Sequence, residues 1–114
     1  MIKRYKIGKR MSQAVNYNGI LYLAGQVADT GSASVEDQTR EVLAKIDALL
    51  AEAGTSKSKL LTVAVYLPNI SDFDAMNSVY DKWIDPENPA TRACVEARLA
   101  GPDLRVEIVA VAAL

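Results

Sequence analysis

The sequence predicts a two-layer α+β domain spanning residues 1–114, with a mixed sheet in the order β-β-α-β-α-β-β and both helices on one face. Three observations carry that prediction. Asn18-Gly19 lies between two extended runs, two stretches repeat apolar residues at helical spacing, and the remaining apolar runs are short and bounded by turn-forming residues. A β-α-β crossover is right-handed almost without exception, so two of them in one sheet place their helices on the same side.

The elements follow in chain order. Asn-Gly tolerates positive φ at both positions and so closes a two-residue hairpin within Gln13 to Val27, whose second arm, Ile20 to Ala24, is apolar on both faces. Ser34 with Asp37 three residues on has the pattern of a helix N-cap. Val35, Thr39, Val42, Ile46, Leu49, Leu50 and Ala53 then recur at helical spacing, and Gly54 is a C′ stop. Leu60 to Leu67 is a strand apolar on both faces, ended by Pro68. Ser71 with Asp74 repeats the cap pattern, and Phe73, Met76, Val79, Tyr80, Trp83 and Ile84 form the buried stripe of a shorter helix. The turn-rich Asp85-Pro86-Glu87-Asn88-Pro89 leads into two last strands separated by Gly101-Pro102-Asp103.

Composition excludes several kinds of chemistry. The chain has no histidine, which removes Ser-His and Cys-His nucleophilic pairs, His-ligated zinc and the usual general base near neutral pH. Cys94 is the single cysteine, so neither an internal disulfide nor a thiolate metal cluster can form within one chain. Gly19 and Gly25 are isolated and no phosphate-cradling glycine pattern occurs, which leaves nucleotide cofactors without support. Thirteen basic residues against fourteen acidic ones give a net charge of -1, and neither sign gathers into a block that would attract nucleic acid or a lipid surface. Lacking a leader pattern or a bilayer-length apolar stretch, the chain is expected in the cytoplasm.

Strand alternation sorts the polar residues. In the fourth strand Ala93, Val95, Ala97 and Leu99 share the face expected to meet the helices, leaving Arg92, Cys94, Glu96 and Arg98 opposite. In the last strand Leu104, Val106, Ile108 and Ala110 match the helix face, leaving Arg105, Glu107, Val109 and Val111 opposite. The uncovered face would then hold both apolar area and charge, which a subunit interface accommodates if the charges pair with each other or with a ligand. A sheet rim with solvated charges is the plainer reading.

Ser12-Gln13-Ala14-Val15, Tyr22-Leu23-Ala24-Gly25-Gln26, Asp72-Phe73 with Met76-Asn77, Arg92-Ala93-Cys94-Val95-Glu96 and Val106-Glu107-Ile108 resemble, in order and spacing, the successive signatures of the RidA/YjgF family. The resemblance runs from about Met11 to the C-terminus. It implies a chorismate-mutase-like fold, a homotrimer with the last strand inserted between the first and second core strands, and three clefts between subunits. It also implies cofactor-free hydrolysis of 2-imino acids or enamines to 2-oxo acids and ammonia.

On that resemblance Arg92 binds the substrate carboxylate through its planar fork, and Glu107 orients or activates water. Cys94 touches the ligand through its backbone amide, and Gly25 lets the ligand approach the main chain. Each has a plainer role: an interface ion pair for Arg92, a partner to Arg105, Arg98 or Arg92 for Glu107, a small buried hydrophobe for the Cys94 thiol, and a strand bulge for Gly25. The sequence departs from the pattern at Gly8-Lys9-Arg10-Met11-Ser12, where well-studied deaminases carry a tyrosine in a Gly-Pro-Tyr-Ser-like context. Met11 has no hydroxyl, with Ser12, Tyr5 and Tyr17 as nearby substitutes. A non-catalytic protein that binds or senses a small carboxylic acid is therefore the rival reading. A ribonuclease or translation inhibitor is disfavoured by the even charge balance and the missing histidine.

Overall fold

Asn18 and Gly19 both take positive φ, 52° and 77°, in the computed structural model, which describes residues 1–31 and 33–114. They turn strand β2 (Ala14–Tyr17) back on β3 (Ile20–Leu23) in the expected hairpin. Two short strands extend it. β1 (Lys3–Tyr5) pairs with the outer side of β2, and β4 (Gln26–Val27) continues from β3. Helix α1 (Val35–Glu52) starts at Ser34, whose hydroxyl accepts from the Asp37 amide at 3.1 Å, and Gly54 follows its end with φ 84°. After β5 (Leu60–Leu67) come α2 (Phe73–Trp83), β6 (Thr91–Glu96) and β7 (Glu107–Ala113).

The sheet order is β1-β2-β3-β7-β5-β6, with β4 also paired to β7. β7 therefore lies between the hairpin and β5, and only β5 and β6 run parallel. Val63, Val65 and Leu67 of β5, Ile108, Ala110 and Ala112 of β7, and Leu21 and Leu23 of β3 form one cluster with Val42, Ile46 and Leu50 of α1 and Met76, Val79 and Tyr80 of α2. The two helices contact each other in a single layer on that face. The molecule measures 41 × 37 × 19 Å, and its short dimension fits one sheet plus one helix layer. The other face carries Val15, Tyr22, Ala64, Tyr66, Val109 and Val111, and among the described residues no element lies over it.

Three local expectations change. The last two strands are shorter than their apolar pattern: β6 stops at Glu96, whose carboxylate accepts from the Ile70 amide, and β7 begins at Glu107. Ser71 does not cap the second helix. Asn69 accepts from the Ser71 amide at 3.0 Å to start a 3₁₀ turn over Ile70–Asp72, which runs into α2. Ser34 is the cap that holds α1, so Ser34→Ala is expected to lower stability by ~1 kcal/mol. At fixed protein concentration that is a lower urea midpoint with an unchanged slope.

Candidate functional site

Neighbours across a ladder share a sheet face, and the parallel register sets Arg92 beside Val63 and Cys94 beside Val65. Val63 and Val65 are 2% and 0% exposed beneath the helices, so Arg92 and Cys94 point to the helix side. This reverses the face expected for β6. Alternation fixes which residues travel together but not which face they take, and the apolar set was the wrong guide here: Val95 is 46% exposed on the open face. β6 is an edge strand, and its helix side meets the polar and aromatic flank of α2 instead of the centre of the core.

That flank holds the guanidinium. Arg92 Nη1 donates to Asn77 Oδ1 at 2.6 Å, and Cζ lies 4.7 Å from the centre of the Tyr80 ring and 5.7 Å from that of Phe73. Phe73, Asn77 and Tyr80 are spaced i, i+4, i+7, so one face of α2 supplies all three contacts. Asn77 is a neutral amide and the rings offer only their quadrupoles. Among the described residues no carboxylate comes within ion-pair distance of Arg92, which leaves a half-buried positive charge uncompensated.

Burial dominates the nearby titrations. It raises the Tyr80 hydroxyl above its ordinary value, against the opposing pull of Arg92, with Asp81 adding to the rise. Burial likewise pushes the Cys94 thiol up, again opposed by Arg92. The thiol is half-buried against the core, which fits the small-hydrophobe role for its sulfur.

Glu107 stands on the other face. It pairs with Tyr66 and Val27, out of phase with the buried Ile108, so the sheet itself separates its carboxylate from the Arg92 guanidinium. A Cβ on Gly25 would meet the end of that carboxylate, a flexible group that can swing aside, so the glycine permits the close approach of Glu107 to the main chain. Gln13 O accepts from the Ala24 amide at 2.9 Å, which sets Ser12 and Met11 beside the Ala24-Gly25 segment; Ser12 is half-buried and Met11 exposed. Arg105 is engaged elsewhere, with Asp72 at 3.1 Å. The sequence-derived residues thus fall into two separate groups in one chain. Gly25, Glu107, Met11 and Ser12 make one group, and Arg92 and Cys94 the other.

Asn77, Tyr80 and Phe73 were missed as site residues, although the sequence held a signal for them. Asn77 interrupts an aromatic stripe on a helix face where an apolar residue would otherwise be expected. Among the described residues no group of three or more His, Cys, Asp or Glu is placed to hold a metal ion, and no helix is long and apolar enough to cross a membrane.

Comparison with known proteins identifies the family. The family model described as Endoribonuclease L-PSP matches residues 1–114. A RutC family protein from Haemophilus ducreyi is 46% identical over 114 residues, covering 100% of this chain and 97% of that one. The chain belongs to the RutC/YjgF family. The crystal structure of the YjgF-family member NMB1025 from Neisseria meningitidis superposes with a TM-score of 0.96 at 42% identity, over 99% of this chain and 94% of that one. The Rid-family protein YyfA from Yersinia pestis gives 0.88 at 32% identity, over 95% and 90% of the two chains. YjgF-family membership and the α+β fold therefore agree with the resemblance read from the motifs.

The thiol of Cys94 gives a direct measurement of the site's electrostatics. With its pKa raised, less thiolate is present at a given mildly alkaline pH than in free cysteine, so alkylation by iodoacetamide should be slower than for the free amino acid at pH 8. Arg92→Gln removes the influence that opposes burial, and should shift the pH dependence of alkylation further upward.

Proposed function

We propose that this protein is a cofactor-free deaminase of 2-imino acids or enamines, with each site formed where two copies of the chain meet. The carrying observation is the uncompensated, half-buried guanidinium of Arg92, with donors that Asn77 leaves free. A planar fork held at one edge and stacked on a ring is suited to two parallel hydrogen bonds with a carboxylate. Glu107 meets no protein cation among the described residues and is free to orient water.

In the proposed step the carboxylate sits on Arg92 and a water bonded to Glu107 attacks C2 of the imine. The water oxygen bonds to C2 and the C=N π pair moves to nitrogen, which receives the proton taken up by Glu107. Glu107 then takes the carbinolamine hydroxyl proton and returns it to nitrogen, the oxygen electron pair forms the carbonyl, and the C–N bond breaks to release ammonia. One water is consumed and no electrons are exchanged. Positioning and one proton acceptor are enough for so reactive a substrate.

A homotrimer is the assembly this reading needs. Arg92 lies at the helix side of an edge strand and Glu107 on the open sheet face, so bringing them together joins two different surfaces. A head-to-tail contact forms a closed ring when its rotation closes, and three copies is the smallest such ring beyond a pair. The apolar side chains of the open face supply the area to be buried. Light scattering after size exclusion should give three times 12.3 kDa, and a stable monomer would remove the composite site.

Release of ammonia and 2-oxo acid from enzymatically generated 2-imino acids tests the chemistry. Arg92→Ala should cut kcat/KM roughly 10–100-fold through loss of charge-assisted hydrogen bonds, and Glu107→Gln should cut kcat ~100-fold or more. Equal rates for wild type and Arg92→Ala would exclude the deaminase. Met11, where a hydroxyl is expected from the resemblance, favours the second reading of a non-catalytic carboxylate-binding protein. Tight binding of a 2-oxo acid in calorimetry without turnover would select it.

A further inference from the structure

The segment that departs from the family pattern carries charge of its own. Five of the thirteen basic residues, Lys3, Arg4, Lys6, Lys9 and Arg10, fall within the first ten positions, and no acidic residue does. Lys3 and Arg4 belong to the outermost strand, where exposed charges oppose edge-to-edge pairing, and Lys6 lies 3.7 Å from Glu52. Lys9 and Arg10 are different. They sit beyond the end of β1 in a loop closed by the bond from Gly8 N to Met11 O at 2.8 Å. Among the described residues neither has a carboxylate partner.

The loop curls around a cavity of about 500 Å³ lined by Gly8, Lys9, Arg10, Met11 and Gln13. That is room for a small organic acid. Its position follows from the sheet: Gln13 bonds to Tyr5 O on one side and to the Ala24 amide on the other, so the loop is anchored next to the segment that touches Glu107. The cavity thus gathers two cations and no acid, in a loop joined through the Gln13 backbone to the segment that carries Gly25.

We propose that the substrates are 2-imino dicarboxylates, the distal carboxylate being held by Lys9 and Arg10 while Arg92 of the adjoining copy holds the carboxylate next to the reacting carbon. This rests on the deaminase or carboxylate-binding reading above and narrows it. The two cations discriminate because a monocarboxylate leaves them solvated and gains nothing from them. A dicarboxylate gains an attraction that weakens with added salt, as for any partly exposed pair.

Calorimetry with stable 2-oxo acids tests this without turnover. The full-length protein should bind 2-oxoglutarate ~10-fold or more tightly than 2-oxobutanoate at low ionic strength, with the ratio shrinking in added salt. The double variant Lys9→Ala/Arg10→Ala should bring the two affinities within about twofold, and Lys9→Arg/Arg10→Lys should restore the preference. Both positions are in an exposed loop, so the substitutions spare the core. Equal affinities in the wild type, or a preference that survives the double alanine variant, overturn the inference and leave Arg92 as a carboxylate clamp. Failure to bind either acid removes the clamp itself, and the inference with it.

Discussion

Arg92 reaches α2 because the parallel register of β6 on β5 places it beside Val63, on the side where the helices pack. Most of what is distinctive about this molecule depends on that contact. A guanidinium carried under a helix layer loses part of its hydration, and a buried cation without a counter-charge is costly. Here α2 offsets the cost only in part, with one amide oxygen and two aromatic rings. A carboxylate at this point would have neutralised the charge and closed the site. The chain keeps a neutral amide there, so the charge stays available to an anion from outside.

The open sheet face imposes the complementary constraint. Tyr22, Val95, Val109 and Val111 are too apolar a group for a face meant only for water, and Glu107 lies among them with Gly25 beneath its carboxylate. Removing the side chain at position 25 lets the carboxylate lie close along the sheet instead of standing off it. The sheet thus presents an acid on one side and a base-binding fork on the other. The two groups lie on opposite faces of one copy, so the composite site proposed above needs a second copy.

How far the sequence could be read depended on the kind of signal. The Asn18-Gly19 hairpin, the Ser34 cap, Gly54 and the span Leu60–Leu67 are legible because each is decided by local backbone chemistry. The α1 stripe, the middle of the α2 stripe and the inward face of β7 are legible because period and burial agree, whereas Phe73, expected in the buried stripe, is 39% exposed at the start of α2 and Ile84 lies past its end. The orientation of β6 is not, since an edge strand flanked by turns can present either set of side chains, and the set with more charge went inward. The role of Asn77 stayed hidden for the same reason: its meaning depends on an arginine fifteen residues away facing the helix. The caps misled once, at Ser71, where Asn69 two residues earlier captures the amide first.

The Gly8–Ser12 segment shows how a loss and a gain can occupy one loop. Set against the resemblance, the loss is a hydroxyl at Met11. Set against the charge distribution, the gain is a pair of cations with no partner in the described chain, anchored by Gln13 to the strand end that carries Gly25. A hydroxyl and a guanidinium do different work: the first donates to and accepts from neutral or charged groups, whereas the second recognises only acceptors and is strongest with anions. Exchanging one for the other leaves in place the carboxylate of Glu107 that the proposed step would use, because the loop does not supply it. The effect proposed for the loop is on which molecules are held, since a difference confined to one loop can alter selectivity while the sheet, the helices and Arg92 stay as they are.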